Sequence, residues 1–111
     1  MDAPKYKELA HHFDCLVSQA KELMDNKNAD YTNDAGGSGG CLSNFIKAEE
    51  FGVCSAEQGI MVRFLDKAAR LSTLIRREAK VADEKLRDTV IDIVNYAVIL
   101  DFIMYLKEGE K

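Results

Sequence analysis

Residues 84–106 read EKLRDTVIDIVNYAVILDFIMYL, and this stretch decides the fold. After Thr89 it is apolar nearly all round: Val90, Ile91, Ile93, Val94, Ala97, Val98, Ile99, Leu100, Phe102 and Ile103. The spacing predicts a long helix from about Glu84 to Leu106, ending near Gly109. A helix without a polar face has to be buried, either centrally or against another subunit. Asp92, Asn95 and Asp101 interrupt the run, and a membrane span needs ~20 nearly uninterrupted apolar residues. A core helix is therefore expected, and no membrane segment.

Working back along the chain, Ser55-Ala56-Glu57-Gln58 is a capping box, in which hydroxyl and amide each satisfy a free backbone donor. The helix it opens is expected to reach about Ala79, with Ile60, Met61, Phe64, Leu65, Ala68, Leu71 and Ile75 as its buried side. A turn around Lys80 to Asp83 then leads into the last helix. Upstream, Asn44 to Phe51 reads as a short helix with Ser43 as cap and Gly52 as terminator. Residues 28–43, NADYTNDAGGSGGCLS, are glycine-rich and read as a loop or lid. The first helix carries Tyr6, Leu9, Phe13, Leu16, Val17, Ala20, Leu23 and Met24 at three- and four-residue spacing. Asp2 can cap it, Pro4 suits its first turn, and Asn26 and Asn28 offer stops. No strand pattern appears. The expectation is one all-α domain over residues 1–111, a four-helix-type bundle.

Composition narrows the class. The chain has 111 residues, 47% of them apolar, and a formal charge of −4. That apolar fraction excludes a disordered chain. The acidic balance argues against duplex DNA as a partner, which depends on a basic surface. Three cysteines, Cys15, Cys41 and Cys54, without metal spacing suggest free thiols in a reducing compartment. The N-terminus has no basic segment followed by an apolar run, so no signal peptide is expected and the cytoplasm is the expected location.

Polar residues inside the apolar helix need a reason. Glu84, Asp88, Asp92 and Asn95 fall within an arc of about 80° and form a stripe about 16 Å long. Buried carboxylates are costly unless paired or bound to metal. Two explanations stand side by side. The stripe can pair with Arg63, Lys67 or Arg70 of the preceding helix, or Glu84 and Asp88, one turn apart, can converge on a divalent cation. On that preceding helix Arg63, Asp66, Lys67 and Arg70 share an arc of about 100°, either a solvated charged face or a facing set of one carboxylate and three cations. Glu49, Glu50 and Glu57 are further candidates, Glu57 being explained also by the helix dipole. His11 and His12 point about 100° apart and cannot share a metal.

Taken in order, Lys27-Asn-Ala-Asp30-Tyr31, then Asn44-Phe45, Ser55-Ala-Glu-Gln-Gly59, Arg63-x-x-Asp66-Lys67-x-x-Arg70 and Val81-x-Asp-Glu84-x-x-x-Asp88-Thr-x-x-Asp92-x-x-Asn95-Tyr96 form an ordered set. It resembles the nucleotide modification associated domain family of phages and bacteria. That family is similar to the MazG-like all-α nucleoside triphosphate pyrophosphohydrolases. The resemblance covers residues ~24 to 106. It implies a magnesium-dependent cut between the α and β phosphates, giving monophosphate and pyrophosphate. Asp66, Glu84 and Asp88 are then the expected catalytic and metal residues for Mg²⁺ or Mn²⁺, with Asp92 and Glu50 in reserve. Lys27, Arg63, Lys67 and Arg70 are expected to neutralise the polyphosphate. Asp30, Asn44 and Asn95 are expected to touch substrate, and Tyr31, Phe45 and Tyr96 to offer stacking surfaces. The family's usual two acids on the first of the facing helices are here Arg63 and Asp66, and its second pair is spaced one residue wider.

Three functions follow as expectations: a pyrophosphohydrolase acting on the nucleotide pool, a non-catalytic nucleotide sponge or sensor, and a structural bundle whose stripes are salt bridges. Four short helices leave little interior. The outer face of the last helix, including Ile93, Leu100 and Ile103, is expected to meet a second subunit in a homodimer or homotetramer.

Overall fold

The computed structural model describes residues 2–3, 5–31, 42–76 and 82–110. They form four helices: α1 (Tyr6–Tyr31), α2 (Ser43–Glu50), α3 (Ala56–Arg76) and α4 (Ala82–Gly109). No strand occurs among the described residues, so the all-α expectation holds. Residues 32–41 and 77–81 lie outside them, and with these most of the expected loop, Cys41 and the expected end of α3. The loop's expected first residues, 28–31, instead continue α1, its expected last residue, Ser43, opens α2, and Ala82 and Asp83 of the expected turn already belong to α4.

Local signals set most boundaries. The capping box closes as expected: the Ser55 backbone N–H donates to Gln58 Oε1 at 2.9 Å, and the Gln58 N–H donates to Ser55 Oγ at 3.0 Å. Gly52 ends α2 at φ +75. The Gly52 N–H reaches the Glu49 carbonyl at 3.0 Å and the Val53 N–H reaches that of Ala48 at 2.9 Å, the two bonds of a Schellman turn. Ser43 is not the cap. It lies inside α2, and Leu42 takes the N-cap position without a side-chain bond. Asn26 and Asn28 do not stop α1, whose last turns are tied to α4 by Lys27.

α3 and α4 run antiparallel, because Lys67 meets Asp92 while Glu57 meets Lys107. Between those pairs Ala56, Ile60, Ile99 and Ile103 form the core, with Met24, Leu42, Phe45, Tyr96 and Leu100 packed around it. Ile103 therefore belongs to the chain's own core, contrary to its expected place on an outer face, since it lies on the seam facing α3. α3 keeps most of its expected inner side. Ile60 is fully buried and Phe64, Ala68 and Leu71 are half-buried, but Met61, Leu65 and Ile75 are exposed, and Ala56 and Leu74 join the interior. The α4 seam selects Ala56, Ile60, Lys67 and Leu74, at seven-residue spacing from Ile60, and no described element covers the flank beyond.

α1 packs across α4 through polar contacts. The Arg87 guanidinium donates to Gln19 Oε1 at 2.8 Å and lies 3.3 Å from His12 Nε2. The Asn95 amide donates to the Ala20 carbonyl at 3.0 Å.

Two substitutions test this account by chemical denaturation. Ile60→Ala, at the packed centre, is expected to lower stability by about 2–5 kcal/mol. Gly52→Ala meets no atom within 4 Å, so only left-handed strain opposes it, about 1–2 kcal/mol. Equal losses would contradict the core placement of Ile60.

Candidate functional site

Asp92 is the meeting point of three helices. Its Oδ2 lies 3.1 Å from Lys67 Nζ of α3, and its Oδ1 lies 3.3 Å from Lys27 Nζ of α1. The carboxylate is mostly covered, at 15% exposure, so two counter-charges offset its lost hydration. Ion pairing is thus the explanation for this part of the acidic stripe. Both oxygens of Asp92 are engaged by ammonium groups. Asn95, one position of the same stripe, is committed through its amide to the α1 backbone. Buried Thr89 donates its hydroxyl to the Lys85 carbonyl at 2.7 Å, so it is satisfied within its own helix.

Around this junction the other charged residues are exposed. Asp88 lies one turn before Asp92 on α4, and Arg63, Asp66 and Arg70 bracket Lys67 on α3. None of these four has an ion pair or hydrogen bond to another described side chain. The antiparallel register, with Lys67 level with Asp92, puts Arg70 close to the level of Asp88. The side chains of Asp30, Tyr31 and Glu84 lie outside the described residues. Among the described residues, no three histidine, cysteine or acidic side chains come together as a metal group.

The remaining candidates are placed elsewhere. Phe45 and Tyr96 meet edge to face, centroids 6.4 Å apart at 86°, and both pack on the core. Asn44 and Glu50 are exposed on α2. Glu49, beside Glu50, receives the Ala56 N–H at 3.1 Å, so Glu50 sits at the α3 start. Asp88 is level with α3 residues some 15 positions on, about 22 Å along the hairpin. Cys15 and Cys54 are free thiols, and Cys15 Sγ lies 3.6 Å from His11 Nε2 on the exposed side of α1.

At this far end lies a clamp that local sequence patterns do not reveal. Lys107 Nζ of α4 bridges Glu57 of α3, at 2.6 Å, and Glu49 of α2. The hydrogen bond from Lys107 holds Glu49 below its ordinary acidity range, helped by the Ala56 N–H. The same ammonium lowers Glu57, and the two carboxylates raise Lys107, Glu49 first. Lys107 stands 58 residues from Glu49 and 50 from Glu57, with no spacing rule to connect them.

Residues 85–109 are long and apolar enough to cross a membrane by length and composition. Within that helix Asp92 and Lys107 are ion-paired to other helices of the chain. No protein-family model, curated protein or solved structure matches the chain.

The clamp has a pH signature. Glu49 and Glu57 ionise more readily folded than unfolded, so their contribution is complete above the ordinary 4.5 and fades as pH falls through their lowered folded values. Lys107 is raised, so its contribution is complete below 10.5 and fades as pH climbs through its folded value. Lys107→Met is expected to lower Tm at neutral pH, with the gap to wild type closing in strong acid and in strong alkali. A gap independent of pH would rule out the charge explanation.

Proposed function

We propose that the chain is a Mg²⁺-dependent nucleoside triphosphate pyrophosphohydrolase with a MazG-like fold. It acts on the cytoplasmic nucleotide pool as a homo-oligomer, in a phage or bacterial setting of DNA modification. The observation that carries the reading is the junction at Asp92. Two ammonium groups from different helices converge on one carboxylate, and Arg63 and Arg70 stand exposed on the same helix as Lys67. A polyphosphate is the common ligand that such a set of cations fits, because each phosphate oxygen can replace water around Lys or Arg. Lys27 and Lys67 keep their bonds to Asp92 and offer their remaining N–H donors to the phosphates.

Hydrolysis adds water across the α–β phosphoanhydride, giving the monophosphate and pyrophosphate. Asp66 and Asp88 are exposed carboxylates, the hard oxygen donors that Mg²⁺ or Mn²⁺ prefers, and with Glu84 they are the residues that would hold the ion. When bound, the ion neutralises phosphate charge and makes its water more acidic. A carboxylate left unbound accepts the proton of the attacking water, while Lys27, Lys67, Arg63 and Arg70 hold the triphosphate.

A second reading, a nucleotide sponge or sensor, is favoured by one feature: α3 carries Arg63 where the resembled family carries an acid. A panel of (d)NTPs incubated with Mg²⁺ separates the two. Turnover to monophosphate and pyrophosphate is expected, Asp88→Asn is expected to abolish it with the melting curve unchanged, and Arg70→Met to weaken nucleotide binding about tenfold, ~1.4 kcal/mol. Tight binding without turnover would establish the sponge, and no nucleotide-dependent melting shift would leave a purely structural bundle.

A further inference from the structure

Two apolar stripes cross at the contact between Asn95 and Ala20, and each is only half covered. On α1 the stripe begins Tyr6, Leu9, Phe13 and continues through Leu16 to Ala20 at alternating three- and four-residue steps. Its start is bare, with Tyr6 76%, Leu9 62% and Phe13 62% exposed, while Ala20 is 2% exposed. On α4 the stripe runs Ile91, Asn95, Val98, Phe102, Tyr105 with the same alternation. Here the order is reversed. Ile91 is 7% exposed, and Val98, Phe102 and Tyr105 are 54%, 42% and 70% exposed. Phe102 and Tyr105 stack on one another, 6.4 Å between centroids, in the uncovered half.

The two bare halves match. Each runs about seven residue steps, ~10 Å of helix, with the a/d spacing by which helices interlock. The chain also exposes more surface than its size requires. Its accessible area is 8718 Å², against about 6,100 Å² for a compact monomer of this mass. The radius of gyration is 16.5 Å, where about 13 Å is usual. That excess of area is larger than the ~800 Å² that each partner gives to a standard interface, so a second copy has ample surface to cover.

We propose that two copies of this chain pair by exchange: the bare half of α1 in one copy packs on the bare half of α4 in the other, and the reverse. A twofold axis makes both contacts identical, so one closed interface covers four half-stripes. This gives a surface to the oligomeric part of the proposed function and is independent of its chemistry. A lipid surface fits less well, because the bare half of α4 is flanked by Asp101, Glu108 and Glu110 on a chain of net charge −4.

The test uses the nucleotide-free full chain in sedimentation equilibrium, so loss of catalysis cannot mimic its failure. Wild type is expected at twice 12.4 kDa. Phe13→Lys and Phe102→Glu should each give monomers of unchanged helicity, since both positions are exposed in the single chain. Leu9→Lys and Val98→Glu serve if either variant misfolds. Mixing Phe13→Lys chains with Phe102→Glu chains should restore dimer, because the mixed pair keeps one unaltered α1–α4 contact. Monomeric wild type, including a monomer that floats with neutral phospholipid vesicles, overturns the proposal. So does a dimer that survives either substitution, or a mixture that stays monomeric.

Discussion

A carboxylate sits inside the most apolar helix of the chain, and its need for counter-charge organises the rest. Asp92 is largely withdrawn from water, and an unpaired charge there would cost several kcal/mol. Lys67 answers from α3 and Lys27 from α1, so one ionised group sets both the level of the α3/α4 seam and the reach of α1. The apolar contacts alone allow α3 and α4 to slide, since Ile and Ala side chains along a seam are nearly interchangeable by one turn. The ion pair removes that freedom, because a one-turn slip would separate Lys67 from Asp92 by about 5 Å along the axis.

Signals carried within a few residues are legible in the sequence alone. The capping box at Ser55 and Gln58 and the glycine stop at Gly52 depend only on neighbouring backbone groups, and both form as the sequence implies. Features that presuppose a covered face are not legible in the same way. α3 is apolar on two sides, so periodicity cannot choose between the side holding Met61 and Leu65 and the one holding Ala56 and Leu74. α4 makes the choice. Ile103 is misplaced by periodicity for the same reason: a helix apolar all round has no internal mark of which flank is outer.

The candidate site divides along the same line. The stripes themselves follow from 100° per residue and can be read directly. Which cation meets which acid depends on register between helices, so the sequence offers Lys67 to Asp92 only as one of three options. Lys107 has no place among the candidates at all. Its carboxylate partners come from two other helices, and neither lies within a turn of it in sequence.

The two ends of the α3/α4 hairpin use charge differently. At the end closed by Lys107, three ionised groups bind one another, and their altered acidities are those of groups that contribute to folding. Toward the other end, Arg63, Asp66, Arg70 and Asp88 stand in water without partners among the described residues. Exposed charges of that kind add little to stability, since even formed surface pairs are worth about 0–1 kcal/mol. Fold stability therefore leaves these four groups open to another use, beyond that of an ordinary solvated helix face. Under the proposed function a polyphosphate would engage several of them together.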